Sequence, residues 1–188
     1  MKILPEFRFG LLDGWLPLAL YFLVFLVSLL PYSRETREWL FQNPVNKSKP
    51  LFLALRSIGQ VTVFAFILLM IATPLADEPA VWLPGAALFL AGVALVVSAL
   101  DAFRRTPLGQ PVANGPYRIS RNPQWVGLFL VLLGSAVMAG VWIYLAMLLA
   151  VAAVYHIQIL DEEALCLEKI GEKYRDYLKR VPRYLLFF

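Results

Sequence analysis

The stretch WVGLFLVLLGSAVMAGVWIYLAMLLAVAAVY, residues 125–155, decides the fold of this chain. It carries no charge, and its 31 residues exceed the roughly 20 that one membrane-spanning helix needs. They are also too few for two full spans and a loop. The segment LGSAVMAGVW (residues 133–142) lies in the middle, and its glycines and small side chains permit a tight reversal. We therefore predict a helical hairpin with a narrow turn, each arm of which just crosses the bilayer.

The rest of the chain is also unusually apolar. Of its 188 residues, 60% are hydrophobic and 16% charged, and the mean hydropathy is +0.69. A soluble domain is closer to half apolar and a quarter charged. Three further apolar runs have the length of a span: Trp15 to Tyr32, Leu51 to Thr73 and Ala80 to Leu100. We predict a single all-α membrane domain over residues 1–188, with five transmembrane helices.

The distribution of charge predicts the orientation. Arginines and lysines concentrate in residues 33–50, 101–123 and 157–188, whereas residues 74–79 carry only acids and the hairpin turn carries no charge. The positive-inside rule places the three basic segments in the cytoplasm and the N-terminus outside. Charges recur every three or four residues from Ile157 onward, which predicts an amphipathic helix on the cytoplasmic surface. The net charge of +4 is then explained by anionic membrane lipids rather than by nucleic acid.

The chain has one cysteine and one histidine, which argues against a disulfide framework and a zinc site. Cys166 is the single cysteine and His156 the single histidine, so neither a disulfide framework nor a classical zinc site is expected, and we predict no metal. Only Arg56 lies well inside a predicted span, near its cytoplasmic end, where it can reach the interface. No ion path is evident, but a non-enzymatic transporter or lipid-binding scaffold remains an alternative.

The loop that precedes the hairpin is polar and stiff. Its last part reads NGPYRISRNPQWVG (residues 114–127), and prolines and glycines recur from residue 107 onward. We interpret Arg104 and Arg105 as topology anchors. Tyr117, Arg118 and Arg121 lie between two prolines, and we interpret these three as functional. A loop of this kind can hold a polar ligand against a bundle at little cost in conformational entropy.

A second polar cluster follows the hairpin, HIQILDEEALCLEKIGEKYRDYLKRVPRY (residues 156–184). On a helix, His156 and Glu163 share a face, and Glu162 follows Gln158 by one turn. The hairpin should bring Arg121 and Glu162 together. Together the two clusters offer carboxylates for an ammonium or ribose hydroxyls, arginine for a carboxylate, and aromatic faces for a cation or adenine.

The two clusters, in this order and on either side of an apolar hairpin, resemble the isoprenylcysteine carboxyl methyltransferase family and its phospholipid methyltransferase relatives. The resemblance covers residues 103–184. It implies an integral membrane methyltransferase that uses S-adenosylmethionine, releases S-adenosylhomocysteine and acts on a lipophilic acceptor from the bilayer. The cofactor pocket is expected to face the cytoplasm.

The resemblance also implies roles for individual residues. The residues that fall on or beside the family's cofactor contacts are Gln110, Val112, Tyr117, Arg118, Asn122, Pro123, Gln124, Trp125, Glu162 and Glu163. Gln110 and Val112 correspond to the adenine end. Arg121 and His156 are the catalytic candidates, and His156 is the only imidazole that could accept a proton from an amine or a phenol.

Three positions depart from the prenylcysteine enzymes. Asn122 replaces a histidine, Trp125 replaces a tyrosine, and Gln158 stands where those enzymes use an arginine for the substrate's carboxylate. The last change predicts an acceptor that is neutral or bears an amine, although prenylcysteine, thiol and isoprenoid acceptors remain open. The alternative enzyme is a membrane reductase of the sterol-reductase type that uses NADPH. That reductase would need a basic pocket for the 2′-phosphate, and no added basic cluster lies near Glu162.

Overall fold

The structure, a computed structural model, describes residues 2–8, 10, 13–42 and 50–185, and for residues 50–53, 55 and 56 it describes the backbone alone. Within these residues there are seven α-helices and no strand, so the predicted all-α class is confirmed. The helices are α1 (Trp15–Leu29), α2 (Arg34–Leu40), α3 (Pro50–Ile71), α4 (Pro79–Arg104), α5 (Pro123–Ala139), α6 (Trp142–Ile170) and α7 (Glu172–Arg180). The side chain of Arg56 and residues 43–49, which were read as part of a basic loop, lie outside the described residues.

The predicted hairpin is formed by α5 and α6. The chain reverses at Gly140, whose φ of 67° is in the left-handed region that glycine adopts without strain. The amide of Gly140 donates to the carbonyls of Ala136 and Val137, and Val141 is extended before α6 begins. The turn therefore lies at the C-terminal end of the predicted segment. The first arm has 17 residues and the second has 29.

The prediction of a separate amphipathic helix from Ile157 is wrong. The second arm of the hairpin continues as one helix to Ile170, because no proline or glycine interrupts it and charged side chains alone do not end a helix. It ends at Gly171, whose φ is 72°. The amphipathic helix is α7, of nine residues, and it buries Tyr174 and Tyr177.

Helices α4 and α5 approach each other very closely through glycines. A Cβ at Gly92 of α4 would lie 2.6 Å from the carbonyl oxygen of Gly127 in α5. A Cβ at Gly134 of α5 would lie 2.4 Å from the amide nitrogen of Phe89. These contacts bring the two backbones together, so the loop between α4 and α5 closes over the end of a tightly packed helix pair.

The outer surface of the bundle fits a membrane protein. Among the described residues, α4 and α6 are long and apolar enough to cross a bilayer, and α1, α5 and Ser57–Ile71 of α3 are shorter apolar helices. Leu23, Leu26 and Phe64 are exposed on α1 and α3. A soluble monomer rarely exposes apolar surface on this scale.

The segments that connect the helices lie at two opposite ends of the bundle. On one side, the Lys2 backbone pairs with Gly140 and Trp142 at the hairpin turn, and the Ala76 amide donates to the Met138 carbonyl at 2.7 Å. The N-terminal segment, residues 74–79 and the hairpin turn therefore meet. The polar loop, the end of α6 and the tail lie at the other side, which positions the site.

Candidate functional site

The polar loop between α4 and α5 is built on a turn of 3₁₀ helix at Gly115–Arg118. Asn114 Nδ2 donates to Thr106 Oγ1 at 3.1 Å, which joins the two ends of the proline-rich segment. Tyr117 is buried beneath the turn, and its backbone carbonyl accepts a hydrogen bond of 2.8 Å from the Tyr177 hydroxyl. The loop is therefore held from below by α7.

The chain after α7 binds the same loop through its backbone. The Arg121 amide donates to the Pro182 carbonyl at 2.9 Å. Ser120 Oγ and Asn122 Nδ2 donate to the Arg183 carbonyl at 2.9 and 3.4 Å. This clamp was not predicted, because the tail was read as a helix on the membrane surface.

Glu163 is the buried charge at the centre of this arrangement. Its carboxylate accepts a hydrogen bond of 2.9 Å from Arg183 Nη2 and one of 3.1 Å from Asn122 Nδ2. Arg121 Nε lies 3.3 Å from Glu163 Oε1 but is not aligned for a hydrogen bond. We predicted that Arg121 would meet Glu162, but it pairs with Glu163 instead. Successive residues of α6 face directions about 100° apart, so only one of the two glutamates can face Arg121.

Arg183 is a residue of this network to which the sequence analysis gave no role. Its hydrogen bonds to Glu163 raise the pKa of its guanidinium, so it remains charged at every physiological pH. The signal that could have found it is the segment VPRY at the end of the second polar cluster, where a proline follows the last helix. Its pairing with a glutamate 20 residues earlier depends on how α7 folds back.

Between the loop and α6 there is a cavity of about 460 Å³, which is within the range of roughly 300–1,000 Å³ typical of small-molecule sites. The structure brings ten of the predicted site residues to its walls. They are Gln110, Val112, Tyr117, Arg121, Asn122, Gln124, Trp125, Gln158, Glu162 and Glu163.

Glu162 is the carboxylate around which the polar end of the cavity is arranged. Its Oε2 accepts a hydrogen bond of 2.9 Å from Trp125 Nε1, and its Oε1 accepts one of 3.3 Å from Gln158 Nε2. Gln124 Nε2 donates to the Tyr117 hydroxyl at 2.9 Å. Burial raises the pKa of Tyr117, so this hydroxyl stays protonated. Two carboxylates, an indole and several amides thus share one chamber.

Three predicted site residues do not line the cavity. His156 is exposed, and its Nδ1 lies 2.8 Å from the Tyr184 hydroxyl, so the structure does not place an imidazole at the site. Helix α6 is continuous here, and a separation of two residues turns His156 about 160° away from Gln158. Arg118 is exposed on the loop, and Pro123 is buried as the first residue of α5.

Another wall of the cavity comes from elements in which the sequence analysis predicted no site residue. Apolar and aromatic side chains of α1, of α2 with the residues after it, and of α4 face the polar chamber: Tyr21, Phe25, Trp39, Leu40, Phe41, Val96 and Phe103. This surface suits a lipophilic group. In the described ranges, no group of three or more histidine, cysteine and acidic side chains could hold a metal ion.

Residues 81–173 match the family model described as phospholipid methyltransferase. The match begins in α4, includes the polar loop, both arms of the hairpin and the start of α7, and contains every wall residue from Gln110 to Lys169. It covers just under half of the chain. No curated protein matches the chain.

Proposed function

We propose that this chain, whose residues 81–173 belong to the phospholipid methyltransferase family, is a membrane enzyme that transfers a methyl group from S-adenosylmethionine to a lipophilic acceptor. The observation that carries the proposal is the bond between Trp125 and Glu162 in a cavity with one polar and one apolar wall. A polar cofactor and an apolar acceptor can meet in such a chamber.

The residues of the polar wall fit the proposed cofactor. S-adenosylmethionine bears an ammonium and a sulfonium, and the cavity wall offers the Glu162 carboxylate and the Trp125 indole, both of which favour cations. We assign the adenine end to Gln110 and Val112, as the resemblance implies, and the remaining contacts to Tyr117, Asn122 and Gln124. When bound, the cofactor supplies a methyl group that is activated by the positive charge on sulfur.

The chain itself contributes positioning and exclusion of water. Methyl transfer to a nucleophile is an in-line displacement, whose rate depends on holding the two reactants in line in a dry site. The loop is suited to this because Glu163, Arg183 and the backbone clamp fix its position. Arg121 is a positioning residue in this scheme, since its charge faces Glu163.

The acceptor is proposed to be neutral or to carry an amine. Gln158 presents an amide to Glu162 where a carboxylate-binding arginine would be needed for a prenylcysteine. His156 lies outside the cavity and is not placed to accept the proton that an amine acceptor must lose before it attacks. A thiolate acceptor would need no base.

We also propose how the chain sits in the bilayer. Helices α1, α3, α4, α5 and α6 make five crossings, with the N-terminus outside and the cavity open to the cytoplasm. The basic segments support this orientation by the positive-inside rule, and the meeting of the N-terminal segment with the hairpin turn is consistent with it.

Calorimetry of the purified protein in detergent tests the proposal. Titration with S-adenosylmethionine and with S-adenosylhomocysteine should show binding, and transfer of a labelled methyl group to a lipid extract should be inhibited by S-adenosylhomocysteine. A folded protein that responds to neither compound at millimolar concentration would exclude this function.

A further inference from the structure

Lys169 lies in the wall of the cavity near the end of α6, and the proposed function gives it no role. Its ammonium contacts Oε1 of Gln42 and lies 5.1 Å from the centre of the Trp39 ring. Trp39 and Gln42, at the end of α2 and just after it, line the same cavity. The ammonium is thus held at the edge of the chamber by two side chains from a distant part of the chain.

The contacts of Lys169 differ in kind from those of Arg121. In the described part of the chain, these two are the basic residues that line the cavity. Arg121 faces the carboxylate of Glu163, which compensates its charge. Among the residues that the structure describes, the Lys169 ammonium contacts an amide oxygen and an aromatic ring, and neither carries a negative charge. These contacts orient a positive charge without neutralising it.

Lys169 and Glu162 lie on the same face of α6. Seven residues separate them, which is two turns and roughly 10 Å of rise. Side chains on a helix lean toward its N-terminus, which is the direction in which Glu162 lies from Lys169. The cavity therefore has a carboxylate at one point of this face and an ammonium further along it, an arrangement complementary to a zwitterion.

We propose that Lys169 is the anion-binding residue of the cavity and receives a carboxylate or phosphate on a ligand whose cationic end lies at Glu162. The inference rests on the proposed function. Two ligands carry this chemistry: the amino-acid end of the cofactor, and the headgroup of a phospholipid acceptor that bears an amine. Lys169 determines specificity in either case, because a ligand without the anion loses a charge-assisted bond.

The experiment compares Lys169→Met and Lys169→Arg with Lys173→Met, an exposed lysine of α7 that does not line the cavity. The first measurement is the Kd of S-adenosylhomocysteine and of methylthioadenosine, which lacks the ammonium and the carboxylate. The second is the KM for phosphatidylethanolamine and for hexadecylamine, which carries an amine but no phosphate.

A cofactor carboxylate at Lys169 predicts that Lys169→Met weakens S-adenosylhomocysteine binding about tenfold and leaves methylthioadenosine unchanged. A lipid phosphate predicts a similar rise in the KM for phosphatidylethanolamine alone. Lys169→Arg should retain most of the wild-type value in both cases. If the Kd and KM values of Lys169→Met equal those of Lys173→Met, this inference is overturned but the proposed function is not. A wild-type protein that binds no S-adenosylhomocysteine overturns the proposed function and this inference with it.

Discussion

The indole nitrogen of Trp125 donates a hydrogen bond of 2.9 Å to Oε2 of Glu162, a residue 37 positions later in the chain. The bond joins the first turn of α5 to the C-terminal half of α6 across the hairpin. It fixes the orientation of a carboxylate at the wall of the cavity, where a cationic ligand can reach it.

Replacing Glu162 by alanine should weaken the binding of S-adenosylhomocysteine at least tenfold. A hydrogen bond to a charged group contributes roughly 1.5–3 kcal/mol, and Glu162 lies in the cavity wall. Glu168→Ala is the matched control, because Glu168 is exposed on the same helix and does not line the cavity. Calorimetry measures both. Equal losses in the two variants would mean that Glu162 does not contact the ligand.

Replacing Glu163 by alanine should lower the stability of the protein more than its affinity for a ligand. The change leaves the buried guanidinium of Arg121 without its counter-charge, and breaking a buried ion pair costs roughly 3–5 kcal/mol. The Tm in detergent should fall by many degrees, whereas Glu172→Ala, which removes an exposed partner of Arg175, should change it little. If the Tm of Glu163→Ala were close to that of Glu172→Ala, the ion pairs of Glu163 would not stabilise the fold as predicted.

Gly92→Val should destabilise the pair formed by α4 and α5. The new side chain would meet the Gly127 carbonyl oxygen and the Val131 amide nitrogen, which are backbone atoms and cannot rotate away. Overpacking of this kind costs roughly 1–3 kcal/mol, so the Tm should fall. Ala94→Val, on an exposed face of the same helix, is the control and should leave the Tm nearly unchanged. A similar Tm for both variants would show that the helices can separate without cost.

Wild-type protein should methylate phosphatidylethanolamine in preference to N-acetyl-farnesylcysteine. The amide of Gln158 already donates to Glu162 and carries no charge for a carboxylate. Gln158→Arg should gain activity on the farnesylcysteine, while Gln158→Met, which removes the amide without adding charge, should not. The assay compares initial rates of methyl transfer to both acceptors. Brisk methylation of farnesylcysteine by the wild type, with no transfer to amines, would refute the prediction.

The tail should make the protein sensitive to alkaline pH. Burial raises the pKa of Tyr174 and Tyr177, so the folded protein keeps these protons above the ordinary tyrosine pKa while the unfolded chain loses them. Stability should therefore be constant below about pH 10 and fall as the pH rises above it. Tyr177→Phe should have a lower Tm at neutral pH, because its bond to the Tyr117 carbonyl is lost, but a shallower decline at high pH. If the wild type and Tyr177→Phe lost stability equally as the pH rises, Tyr177 would not be a source of the alkaline sensitivity.

The hairpin and the loop before it could be predicted because their signals are local. An uncharged run of 31 residues with small residues near its centre must reverse, and a glycine such as Gly140 is the residue that permits the turn. Asn122-Pro123 likewise marks the start of α5. The end of α6 was harder to predict, because charge alone was taken as the start of a new helix and only Gly171 ends the old one.

The cavity was predicted only in part. Ten of its wall residues were predicted as site residues, and all ten belong to two polar clusters that are visible in the sequence. The apolar wall from α1, α2 and α4 was missed, because these residues are distant in sequence from the polar clusters and only the tertiary structure brings them together. His156 was overvalued for the opposite reason: its chemistry is distinctive, but its position on α6 turns it away.

By itself, the sequence determined the all-α class, the hairpin and the polar residues that are available to a site, since these depend on hydrophobic run length and on backbone preferences of single residues. Tertiary structure decided which of two adjacent glutamates bonds to Trp125 and which pairs with the arginines. It also brought Arg183 and Lys169 to their partners. Such choices depend on the rotation of α6 against α5 and on the path of the tail, and a turn of about 100° per residue makes neighbouring side chains face different surroundings.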